Sequence, residues 1–273
     1  MPALSFTGDR QLRFPAPDVA RGFMLALIAL ANVPWWLKYF PDYPANRSEL
    51  LQVMNAADQW WFIVRSLFVD RRAYPLFSIL FGFGMAIMAM RTRERERRAA
   101  REAVSSEVSA GWAPVQHQIF DEEVERRARR AASRLIRRRG WWMLAFGALH
   151  GMVFAGDIIG AYGLVAVIFA EVVVSGRAWL LSLIGALFTA VFVLSMWGIA
   201  IAAGSGLMTL GSHPRGALHP LFPLISLGEW IIVTPMTLLM SLVVPSVMIG
   251  VGVARLGLLQ DPPGHRAILG AIA

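Results

Sequence analysis

Apolar stretches of about twenty residues recur along this chain, and no other feature limits so sharply what it can fold into. At 1.5 Å per residue, a helix of about that length matches a hydrocarbon layer about 30 Å thick, and a soluble core has no use for so many. Composition agrees. Of 273 residues, 56% are hydrophobic and only 16% charged, with a mean hydropathy of +0.54, whereas soluble domains carry about 25% charged residues. The expected fold is all-α: a polytopic transmembrane helical bundle of about six spans with a helical cytoplasmic insert.

The spans are read at 19–40, 74–90, 140–155, 157–175, 178–203 and 233–257. The first begins at Asp18, is expected to kink at Pro34 and closes on the interfacial group Trp35, Trp36, Lys38 and Tyr39. It is too long for a secretory signal and lacks a small-residue cleavage site, so it reads as a helix that stays. The apolar segment 60–69 is too short to cross and is interrupted by Arg65, so it is read as interfacial or re-entrant. Within the second span, Leu76-Phe77-Ser78-Ile79-Leu80-Phe81-Gly82-Phe83-Gly84 spaces small residues so that another helix can approach closely. A short link around Gly156 makes the third and fourth spans a hairpin. Three regions result: 1–90 with the first two spans, the insert 91–139, and 140–273. The last ends in an apolar stretch from Gly264 to Ala273 that reads as the start of a truncated further span.

The insert carries more than half of the 26 basic residues, clustered between Arg91 and Arg101 and again between Arg126 and Arg139. Its ends are expected to be helical, the second with an apolar stripe at Val124, Ala128, Ala131, Leu135 and Ile136, and Gly111 to Pro114 is the expected break. Arginine-rich short loops stay in the cytoplasm, so the insert lies inside, together with the N-terminus, Arg177, Arg255 and Arg266. Residues 41–73, the turn at 156 and residues 204–228 then face outward, despite Arg47, Arg71, Arg72 and Arg215. A pI near 11.0 would suggest nucleic acid in a soluble protein. In a membrane protein the expected partners of such a cluster are membrane lipids with anionic headgroups, not nucleic acid. Lys38 is the only lysine, a bias toward arginine that points to a GC-rich bacterial source and hence to an inner membrane.

Cysteine is absent, which excludes disulfides, thiolate nucleophiles and cysteine metal sites. Nucleotide-binding loops, HExxH and GxSxG elbows are absent too. His117, His213, His219 and His265 are scattered without ligand spacing, so no metal is expected. What remains is the small set of ionisable groups at membrane depth, which are costly and therefore candidates for function. His150 and Asp157 fall toward the outer face. On one continuous helix they would stand about 10 Å apart, so only a chain turn at Gly156 brings them together. Two readings stand: a histidine general base oriented by a carboxylate, or a histidine bonded to a neighbouring helix beside an aspartate that caps the fourth span. Asp18 and Arg21 at the inner mouth of the first span are either a helix cap with an ion pair or a phosphate-binding site. Asn32 is either interhelical glue or the lining of a polar tunnel. Glu171 is expected to pair with Arg177 or an arginine of 137–139, and Glu229 beside Trp230 reads as interfacial.

Four stretches together resemble the YeiB-like bacterial membrane proteins, domain-of-unknown-function family 418. They are Asp18-Val19-Ala20-Arg21-Gly22-Phe23 leading to Asn32; Leu76 to Gly84; Arg137-Arg138-Arg139 with Leu149-His150-Gly151 and Asp157-Ile158-Ile159-Gly160-Ala161-Tyr162; and Met248-Ile249-Gly250-Val251-Gly252 with Arg255-Leu256-Gly257. The resemblance covers nearly all of the chain. It implies a distant relation to transmembrane acyltransferases, which pass an acyl group from cytoplasmic acyl-coenzyme A to an extracytoplasmic lipid or glycan. By that analogy His150 and Asp157 form the catalytic pair, while Arg21, Asn32, Asp18 and Tyr162 bind donor or substrate. Relatives with a catalytic histidine carry it just after the first span, and Val33 to Asp58 here contains none. The alternative is a transporter or flippase in which Asp157, Glu171 and Glu229 handle protons or solute, although no internal repeat supports the common transporter plans. Whether the chain is an enzyme, its acyl group, its acceptor and its oligomeric state stay open at this stage.

Overall fold

Inside an apolar segment a helix hydrogen-bonds all of its own backbone groups. Every element is helical among the residues described by the computed structural model, namely 16–37, 47–69, 72–104, 106–154, 156–204 and 221–257. The aromatic closure expected at Lys38 and Tyr39, the side chains of Pro34, Trp35 and Trp36, and the apolar end at 264–273 lie outside that description. So do His213, His219, His265, Arg71, Arg215 and Arg266.

Helix α1 (Ala16–Leu37) is followed by two shorter helices, α2 (Arg47–Val53) and α3 (Ala56–Phe68). Asn55 caps α3 by accepting the Asp58 N–H at 2.9 Å, and none of its residues is buried. The second expected span and the first arm of the insert are one helix, α4 (Ala73–Glu102). A short α5 (Ser106–Ala110) precedes the expected break, and Pro114 then opens α6 (Pro114–Gly151), which joins the second arm to the third expected span. The fourth expected span divides at Phe169 into α7 (Ile159–Ile168) and α8 (Ala170–Ser175). The fifth is the continuous α9 (Ala178–Gly204). The sixth, expected at 233–257, is also divided: α11 (Val243–Leu256) is preceded by α10 (Phe222–Leu239), which starts eleven residues early, within the stretch expected to be an outward loop. Local chemistry explains that second break: the Ser241 hydroxyl accepts the Val243 N–H at 3.2 Å, and Pro245 has no N–H to give the carbonyl four residues back.

By length and composition, three helical stretches among the described residues are apolar enough to cross a membrane: one within Ala56–Glu102, then Ala178–Ala203 and Phe222–Leu239. Ile159–Ile168 and Val243–Leu256 are apolar but shorter.

The core lies among α4, α6, α7, α8 and α11, where Ala86, Ala89, Ala132, Val165, Val173 and Val247 are buried together. Two glycine contacts set its geometry. A Cβ on Gly82 of α4 would fall 2.2 Å from the Val247 carbonyl oxygen of α11, and one on Gly250 would fall 2.0 Å from the Ile79 carbonyl oxygen, so the two backbones touch. The α1 helix packs on α4, and α9 packs on α11. α10 lies against α6 and α7.

The arms of the insert are tied by charge. Glu125 of α6 accepts hydrogen bonds from Arg93, from Arg97 (Nε at 2.9 Å) and from Arg129 (2.6 Å). Arg93 also donates to the Val174 carbonyl at 3.1 Å. Arg255 donates to the Val173 and Val174 carbonyls at 3.0 and 2.7 Å, so two arginines satisfy the C-terminal end of α8 just before Gly176 turns left-handed at φ 58°. Burial would raise the Glu125 carboxyl, but the hydrogen bonds from Arg129 and Arg97 and the charge and hydrogen bond of Arg93 outweigh it, taking it from 4.5 down to about 2. A carboxylate whose folded value is depressed stabilises the fold above its unfolded value and loses that contribution as pH falls through the folded one. Acidification from about pH 5 to pH 2 is therefore expected to loosen the arms, with a loss on the order of 1–3 kcal/mol once solvent screening is allowed for. In Glu125→Gln the loss over that window should be smaller than in the native chain, which melting curves across the pH series will show.

Candidate functional site

The chain leaves α6 at Gly151 and re-enters helix at Ile159, and this reversal brings together the two residues that a straight helix would hold apart. The His150 Nδ1 lies 2.8 Å from Asp157 Oδ1. The same oxygen accepts the Ile159 N–H at 3.1 Å, while Oδ2 accepts the Gly160 N–H at 2.7 Å and the Trp230 indole N–H at 3.0 Å. Four donors thus use the whole acceptor capacity of a carboxylate whose side chain has no exposure. Both meanings of Asp157 hold at once, since it caps the start of α7 and also orients the histidine.

An ionised carboxylate only accepts, so Nδ1 carries the proton in this pair and the neutral ring keeps its lone pair on Nε2. The imidazole is 44% exposed and leans on Phe154, with ring centroids 5.7 Å apart. The pair therefore has a buried, fixed side and an accessible side, the arrangement a general base requires.

Trp230 is the part that sequence reasoning missed. Sequence alone shows it only as the neighbour of Glu229, yet it is buried and reaches Asp157 from α10, across 73 positions. Glycines make its slot. A Cβ on Gly151 would stand 2.5 Å from Trp230 Cδ1, and one on Gly160 would stand 2.4 Å from Cζ2. One on Gly147 would stand 2.5 Å from the Gly160 nitrogen. Glycines at 147, 151 and 160, flanking the His–Asp turn, were the readable signal for a large side chain packed there.

Asn32 and Tyr162 belong to a neighbouring polar cluster. The Tyr74 hydroxyl donates to Asn32 Oδ1 at 2.6 Å, joining α1 to α4. The Tyr162 hydroxyl is 2.9 Å from Ser78 Oγ and donates to the Tyr74 carbonyl at 3.4 Å, and Ser78 donates to that same carbonyl at 2.8 Å. Tyr162 is buried between Phe77 and Phe81, with centroids at 5.2 and 4.9 Å. These contacts pin α7 to α4.

Arg21 makes the ion pair that one of its two readings expects. Its guanidinium pairs with Asp18 at 2.9 Å and donates to the Leu80 carbonyl at 3.3 Å, lying over Gly84, where a Cβ would be 2.5 Å from Nη2. Arg93 lies about nine residues beyond Gly84 on α4, or about 13 Å of helix. Arg21 is thus held partway along α4, not beside the arginine-rich arms. Glu171 accepts from Ser133 at 2.6 Å and pairs with Arg137 at 3.3 Å, matching one of its two expected partners.

At the tip of the arms lies a cleft of about 560 Å³ whose lining alternates Arg97, Arg98 and Arg101 with Glu94, Glu102 and Asp121. Its acids offset its bases. Among the described residues no group of three or more His, Asp or Glu is arranged to hold a metal. Comparison with known proteins finds no family model that matches this chain, and neither a curated protein nor a solved structure similar to it.

Proposed function

We propose that this chain is an inner-membrane protein of about six spans that transfers an acyl group to a hydroxyl acceptor, with His150 as the general base. The observation that carries the reading is the fully bonded, buried Asp157 at 2.8 Å from Nδ1 of a half-exposed histidine. Membrane residence is supported by α9, where only 6% of the most apolar window is buried and Leu183, Leu187, Val193, Leu194 and Ile201 face outward. Water would penalise that surface at about 25 cal/mol per Å², and lipid does not. The six spans would be α1, the first part of α4, the last part of α6, α7 with α8, α9, and the broken pair α10 and α11.

In the proposed step the acceptor hydroxyl gives its proton to His150 Nε2 as its oxygen bonds to the acyl carbon of a thioester such as acyl-coenzyme A. The carbon–sulfur bond then breaks, and the thiolate takes the proton back from the imidazolium. Asp157 stabilises that imidazolium and holds the ring in place. The orientation argued from the arginine-rich arms puts His150 toward the extracytoplasmic side, which suits a lipid or glycan acceptor. A transporter or flippase is the weaker reading, because Asp157 is committed to four protein donors rather than available to protons or solute.

The test compares the acylation of envelope lipids and glycans in cells holding the protein, lacking it, and holding His150→Ala. An acylated product present only with the native protein is expected. The same product profile in all three strains would reject the reading.

A further inference from the structure

Some arginines of the insert pair with carboxylates and others do not. Arg93, Arg97 and Arg129 are committed to Glu125, and Arg126 and Arg127 to Glu123. Arg130, Arg134 and Arg138 are exposed, and among the described residues no carboxylate pairs with them. The Arg134 Nε only grazes the Arg130 carbonyl, at 3.4 Å.

Their spacing of four places them in one row on α6, pointing away from the buried face of Ala128, Ala132 and Ile136. The row continues by the same spacing into Trp142 and Phe146, exposed at 63% and 61% with rings 6.3 Å apart. Guanidinium, then indole, then phenyl is the order in which side chains meet headgroups, interface and hydrocarbon. Register adds a second point. Arg97 with Glu125 and Arg101 with Asp121 fix how α4 and α6 run past each other, which sets Met90, the last residue of the apolar run of α4, about level with Ala132. Arg134 and Arg138 then stand about 3 and 9 Å farther toward the apolar side, depths a flexible arginine bridges only by reaching back to phosphate or drawing it inward.

We propose that Arg130, Arg134 and Arg138 form a docking stripe for the anionic phospholipid headgroups of the bilayer and draw them inward along α6. Guanidinium groups bind phosphodiester oxygens in pairs, and three unpaired cations in a row favour acidic over zwitterionic lipid. The stripe fixes the depth of α6 and so that of His150, about 18 Å farther along the same helix. The proposal rests on the membrane reading above, though not on acyl transfer.

The full chain in mixed vesicles of phosphatidylcholine with a minority of phosphatidylglycerol is re-isolated, and the lipid retained with it is measured by mass spectrometry. The native chain should retain phosphatidylglycerol above its bulk proportion. The triple variant Arg130→Gln, Arg134→Gln, Arg138→Gln should lower that preference by about tenfold, while Arg126→Gln with Arg127→Gln leaves it within about twofold. A triple variant that keeps the native preference, or a control that loses it equally, overturns the stripe. Failure of the native chain to stay with vesicles of either lipid overturns the membrane reading instead, and the stripe with it.

Discussion

Asparagine at position 157 is expected to cut product formation by about 10²–10⁴-fold and to lower stability by about 2–4 kcal/mol. The change keeps size and shape but replaces one acceptor oxygen with an N–H₂ group, in a place where all four neighbours donate: His150 Nδ1, the Ile159 and Gly160 N–H groups, and the Trp230 indole. If the amide oxygen stays on Gly160 and Trp230, the new N–H₂ faces the Ile159 N–H, leaving that buried donor unsatisfied, and it faces Nδ1 as well. The histidine then moves its proton to Nε2 to accept at Nδ1, and the lone pair that would take the acceptor's proton is gone. The opposite amide flip spares the histidine but strands Gly160 and Trp230. Turnover and melting temperature measured together separate the roles, because a pure cap would lose stability and keep its rate per folded molecule. Full turnover in a folded Asp157→Asn protein would remove the dyad from the mechanism.

The parts of this site that could be read from the sequence are those set by the local chain. A separation of seven positions with Gly156 just before Asp157 told that His150 and Asp157 meet only across a turn, and Gly111 to Pro114 marked where the arms break. Hydropathy located apolar runs but not their interruptions. The break after Leu239 comes from side-chain and backbone bonding that an average over a window does not register, and the one at Phe169 is as invisible to it. Register between helices was equally hidden. Trp230 meets Asp157, and Arg21 meets Leu80 rather than the arms, through contacts across 73 and 59 positions that no local period encodes. The glycines carried that information in latent form, as places where something large or close had to fit.

Gly250→Val is expected to eliminate the folded protein, at a cost of more than about 3 kcal/mol where the whole fold is worth about 5–15 kcal/mol. The first added carbon would sit 2.0 Å from the Ile79 carbonyl oxygen, 2.8 Å from its carbon and 2.9 Å from the Phe83 nitrogen. All three are backbone atoms of α4, so no side-chain rotation makes room and the helices must separate. Separation also opens the reciprocal contact of Gly82 with the Val247 carbonyl, and close packing is lost on both faces. The consequence reaches the polar ends of the bundle, because α11 carries Arg255 to the end of α8 and α4 carries Ser78 to Tyr162. Two residues on, a Cβ at Gly252 meets nothing within 4 Å. Gly252→Ala should therefore be neutral or stabilise by up to about 1 kcal/mol through helix propensity alone. Detergent-extracted yield and melting temperature for the two variants read the contrast directly, and a Gly250→Val chain that melts with the native protein would mean that α4 and α11 do not touch.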